Sequence, residues 1–112
     1  MLKHHSEYDE QHKVQFEVYI GDFNEFNDKF VSETLDEPFD EGADGWCYFD
    51  EEDSTIYLWV NNFHIPHVIH ETNHAVMFVF DSCGINYNGE NSEHFCLYSE
   101  YISNLFIKCL NT

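Results

Sequence analysis

Val14, Phe16, Val18 and Ile20 alternate with Gln15, Glu17 and Tyr19, the period of two expected of a half-buried strand. Gly21-Asp22 ends that alternation. Asp22 can then N-cap a helix in which Phe23, Phe26, Phe30 and Val31 recur at helical spacing to about Thr34. Residues 35–45, LDEPFDEGADG, hold one proline, two glycines and five acidic residues and read as an exposed loop. Trp46–Phe49 and Thr55–Val60 are short β-rich runs separated by DEEDS, which predicts a hairpin. Pro66 suits the first turn of a helix, and no breaker follows until Gly84, so the spacing predicts a helix over 66–83 with Gly84 at C′. Residues 85–91 are turn-rich. Asn91 or Ser92 then caps a last helix with Phe95, Tyr98, Ile102, Leu105, Phe106 and Cys109 on its buried face.

Residues 1–13 are polar and read as a flexible N-terminal segment with solvated His4, His5 and His12, leaving 14–112 as a single domain. The order strand, helix, β-hairpin, helix, helix predicts a small α+β domain.

Charge narrows the function. Twenty-two acidic residues stand against four lysines and no arginine, a formal −18. Nucleic acid and anionic membranes are excluded as partners, because both need Lys or Arg against phosphate. Disorder, the other reading of such a charge, conflicts with a chain that is 43% hydrophobic and 18% aromatic. The first 53 residues carry 17 of the acidic groups and three lysines, a net −14, so the second half holds most of the prospective core and site. The N-terminus lacks an apolar leader, and the four cysteines show no C-x-x-C spacing, so free thiols and a cytoplasmic location are expected.

His70-Glu71-Thr72-Asn73-His74 matches H-E-x-x-H. Four residues apart on a helix, both imidazoles lie on one face a turn apart and can reach one Zn2+ ion, while Glu71 can take a proton from water. His67 can share that face. A third ligand is required, and Glu93 in the first turn of the last helix is the leading choice, with Glu90 and Glu100 as alternatives. His94 lies about 100° around the helix from Glu93 and needs a different rotation. Hydrolysis also requires an electrophile for the oxyanion, and without arginine the candidates are Tyr98, Tyr101 and His94.

The segments IHETNHAVMFVFDSCGI and SEHFCLYSEYI resemble a family of small phage and prophage proteins. In that family an H-E-x-x-H-A helix ends in Gly-Ile, and the next helix begins with Glu and has an aromatic residue five positions on. VYIGDFNEF and GWCYFDEEDSTIYLWV fit the same pattern, so the resemblance spans about residues 14–110. The motif helix with its downstream glutamate is also similar to the minimal gluzincin pattern of zinc peptidases. This resemblance implies a zincin-like domain, with His70, His74 and Glu93 as zinc ligands and Glu71 as general base. Tyr98 would occupy the aromatic position. Leu97 stands where many gluzincins repeat an acidic residue. The implied function is a phage-encoded zinc-dependent metallopeptidase acting on peptide or protein in the host cytoplasm. An extended substrate would pair with an edge strand, for which Thr55–Val60 is the expected segment. The alternative is a non-catalytic acidic inhibitor, a DNA mimic that binds a basic host defence protein and uses any zinc structurally.

Overall fold

The structure, a computed structural model, describes residues 1–33 and 44–112, with side chains of the first segment described as far as Phe30. The elements are β1 (Lys3–Asp9), β2 (Val14–Ile20), α1 (Phe23–Glu33), β3 (Gly45–Asp50), β4 (Thr55–Val60), α2 (Ile65–Cys83) and α3 (Ser92–Leu110). Together they make an α+β domain with one mixed sheet in the order β1-β2-β4-β3. The outer pairs are antiparallel and the central β2–β4 pair is parallel, Phe16 facing Ile56 and Val18 facing Leu58.

Strand alternation sends the two central strands' side chains to opposite faces. On one face Val14, Phe16, Val18 and Ile20 of β2 join Ile56, Leu58 and Val60 of β4. Val76, Val79 and Phe80 of α2 cover them, with Ile102, Leu105 and Phe106 of α3. On the other face Tyr19 and Trp59 lie under α1 with Phe26 and Phe30. The Phe26 and Trp59 rings stack at 5.3 Å, and the Trp59 indole N–H donates to the Gly21 carbonyl at 2.9 Å. β2 is therefore buried on both faces over its last residues.

The expected elements from Val14 onward form, and the Asp22 cap is made: its carboxylate accepts the backbone N–H groups of Asn24 and Glu25 at 3.0 and 3.3 Å. Gly84 closes α2 in the left-handed region (φ 71°), with the Ile85 N–H donating to the Phe80 carbonyl at 2.8 Å. The expected loop at 35–45 lies mostly outside the described residues.

Two expectations are corrected. Residues 1–13 are not a flexible segment, because Lys3–Asp9 pairs with the whole of β2. Lys3, His5, Glu7 and Asp9 all turn inward toward α3, so this strand alternates between two kinds of polar residue and carries no apolar signal. Thr55–Val60 is not an edge strand. It is flanked by β2 and β3, which leaves β3 as the edge beside α2.

Polar contacts fasten β1 to α3. Glu7 accepts hydrogen bonds from Lys108 at 2.9 Å and Tyr101 at 2.8 Å, and Lys3 donates to the Leu110 carbonyl. Partial burial disfavours the Glu7 charge, but bonds from Lys108, Tyr101 and His5 outweigh it and hold the pKa down to about 2, from an ordinary 4.5. A carboxyl with a lower pKa folded than unfolded stabilises the fold above the unfolded value, and that contribution is lost as pH falls through the folded one. Glu7→Gln is therefore expected to flatten the stability–pH curve between about pH 4.5 and about pH 2, read by urea denaturation across that window. An acid limb as steep as the parent's would refute the assignment.

Candidate metal centre

Helix α2 runs unbroken through the motif because Pro66 sits in its first turn, where a missing N–H costs nothing, and Gly84 ends it. Its inward face, Val68, Thr72, Ala75, Val76, Val79 and Phe80, fixes the rotation of the helix. That rotation leaves His70 and His74 exposed and carries Glu71 inward, to 6% exposure.

The two imidazoles meet as the four-residue spacing requires. Their Nε2 atoms are 3.2 Å apart and their ring centroids 4.8 Å. One ligand atom each from His70, Glu71 and His74 falls within a 4.8 Å group, the one such cluster of three among the described residues. Two nitrogens each about 2.0–2.1 Å from a common Zn2+ in tetrahedral geometry lie about 3.3 Å apart. The separation of the pair matches that spacing.

Glu71 is held by a feature the motif does not contain. A Cβ on Gly45, the first residue of edge strand β3, would stand 2.8 Å from Glu71 Oε2 and 3.2 Å from the Trp59 carbonyl oxygen. Only a glycine lets the strand pass this close to the carboxylate. Burial raises the Glu71 pKa, opposed by the pull of His70 and His67. The neighbouring Cys47 thiol is pushed up by its own burial and then by the Glu71 charge, so it stays protonated. His67 lies on the same side, with Nε2 3.8 Å from the Asp44 carboxylate and a buried Nδ1 that has no hydrogen-bond partner among the described residues.

The other expected site residues are elsewhere. Glu93 is in the first turn of α3 but exposed and outside the His70–Glu71–His74 group, as are Glu90 and Glu100. Phe95, Tyr98 and Ile102 pack on the core, and that rotation turns His94, rather than Glu93, toward the body of the protein. Tyr98 is buried, and its hydroxyl donates to Asp9 Oδ2 at 2.7 Å. Burial and that bond raise its pKa well above the ordinary phenol range, so it is a fixed donor to Asp9 rather than an electrophile at the motif. Tyr101 is likewise committed to Glu7. His12, expected in solvent, has a side chain only 6% exposed. All four cysteines are free thiols, and no helix among the described residues is long and apolar enough to cross a membrane.

No protein-family model, curated protein or solved structure matches the chain.

The Gly45–Glu71 contact can be tested by a double-mutant cycle. Gly45→Ala is expected to cost about 1–3 kcal/mol, the usual penalty for forcing a methyl group into filled space. In a Glu71→Ala background the cost should fall, since the carboxylate that the methyl group meets is gone. Equal costs in both backgrounds, measured by urea denaturation, would show that Glu71 does not lie against β3.

Proposed function

We propose that the protein is a zinc-dependent hydrolase, a small zincin-like metallopeptidase in which His70 and His74 bind the ion, Glu71 is the general base, and the third ligand position is not assigned to Glu90, Glu93 or Glu100. The observation that carries this reading is the 3.2 Å approach of the two Nε2 atoms beside a carboxylate that is buried yet within their 4.8 Å group. Bound zinc supplies Lewis acidity that brings the pKa of water from far above neutrality to about 7.

The chain's own groups do the rest. Glu71 accepts a proton from the attacking water and can return it to the leaving amine. Its packing against Gly45 limits the positions from which it does so. Among the described residues β3 is the outermost strand on the side of α2, a position suited to an extended peptide that adds its backbone as a further strand. The two exposed imidazoles leave the ion open to substrate, which favours a catalytic over a closed structural site.

His70→Ala and His74→Ala are each expected to abolish stoichiometric zinc at this site, measured by competition against a chromophoric chelator. Glu71→Gln should keep zinc and fold while lowering peptide hydrolysis about 10²–10⁴-fold, because an amide cannot accept the proton. Glu93→Ala should leave zinc affinity unchanged, given its exposed position outside the cluster. Parent-level hydrolysis in Glu71→Gln would eliminate the mechanism. Zinc binding with no hydrolysis by the parent would shift the weight to the acidic-inhibitor reading.

A further inference from the structure

A second group of histidines lies away from the motif, where the β1–β2 turn meets the first turns of α3. Asp9, the last residue of β1, organises it. One carboxylate oxygen accepts the backbone N–H groups of Gln11 and His12 at 3.1 and 3.3 Å. The other accepts the Tyr98 hydroxyl at 2.7 Å and meets His12 Nδ1 at 2.7 Å. A carboxylate can only accept, which makes Nδ1 the donor to Asp9, and in the Nδ1–H tautomer of the ring the lone pair is on Nε2. The His12 ring leans on Tyr98, with centroids 4.3 Å apart and planes tilted by 39°.

His12 Nε2 lies 3.0 Å from His94 Nε2, within hydrogen-bonding distance when no ion is bound. Two nitrogens each about 2.0–2.1 Å from a shared cation are separated by about 2.9 Å at a right angle and about 3.3 Å at the tetrahedral angle. The observed distance lies between them and is close to that of the His70–His74 pair. A cavity of about 280 Å³ opens beside both rings, lined also by Leu97 and Tyr101, with room for further ligands on an ion held there. A carboxylate on the far nitrogen of a histidine, fixing its tautomer and raising its basicity, is the usual support of a metal-bound imidazole. The net charge of −18 further favours a cation.

We propose that His12 and His94 form a second site for a zinc-class divalent cation, with Asp9 orienting His12 and the remaining coordination positions open to the cavity. The ion would join the β1–β2 turn to α3, two parts of the chain 82 residues apart. Its binding is then linked to the folding of β1 and raises thermal stability independently of any hydrolysis.

The test isolates this site in the full-length His70→Ala/His74→Ala double variant, titrated with Co2+ and followed by its visible absorption and by Tm. That variant is expected to bind one equivalent and to gain Tm, and zinc should displace the cobalt. Adding His94→Ala should remove both effects. His94→Gln, which keeps a polar side chain at this half-buried position, should do the same if the triple variant folds poorly. Asp9→Asn should weaken binding about 10–100-fold, the range found for groups that support a ligand from behind. Imidazole nitrogen resonances of His12 and His94, and not those of His4, His5, His64 or His67, should shift with zinc. A double variant that binds no Co2+, binding that persists when His94 is replaced, or shifts confined to other histidines would overturn the proposal. A parent that binds one equivalent, lost on His70→Ala, would sustain the motif site while refuting this one.

Discussion

Everything in this domain hangs on the parallel pairing of β2 with β4. These two strands are central, and between them they supply the side chains that both covering layers bury. A parallel pair cannot be joined by a tight turn, so the chain between them must cross over one face, and α1 does so on aromatic rings. The opposite face is left for α2 and α3. The register that places Val18 beside Leu58 therefore also decides which face of α2 is turned in, and hence that Glu71 is buried while His70 and His74 are not.

Glu71 runs against that economy. A carboxyl group in the wall between α2 and the edge strand forgoes hydration, and its raised pKa records the cost. Packing alone would favour an apolar residue there. The missing side chain at Gly45 leaves the room that the Glu71 carboxylate occupies, beside the two imidazoles.

How much of this was legible depended on whether apolar periodicity carried it. β2, β4, α2 and α3 each repeat hydrophobic residues at the period of their element, and the chain alone shows them. The two histidines and the glutamate of α2 were legible for the same reason, since helical spacing fixes who shares a face. β1 was hidden because its inward residues, Lys3, His5, Glu7 and Asp9, are as polar as its outward ones. Their partners, Tyr98, Tyr101, Lys108 and Leu110, are remote in sequence. Sequence order likewise could not tell that β4 rather than β3 would lie next to β2. The choice between Glu93 and His94 turned on the rotation of α3, which Phe95, Tyr98 and Ile102 decide through contacts with the rest of the fold. Gly45 left only the signal of a glycine opening a strand, one that marks close approach but not what approaches.

The polar fastening of β1 gives the molecule two unequal kinds of cohesion. The central strands and α2 are held by apolar burial, which weakens on cooling and is not subject to charge screening. β1 is held at α3 by charged and hydroxyl contacts spanning 94 and 101 residues of chain, which salt screens and acid titrates. A peeling of β1 would break these contacts and its ladder with β2 while leaving the apolar core closed. Amide exchange in Lys3–Asp9 would follow ionic strength and pH, whereas exchange in β4 would follow global unfolding. His12, attached to the strand that leaves, would part from His94 in that same motion, while the α2 histidines stayed in place.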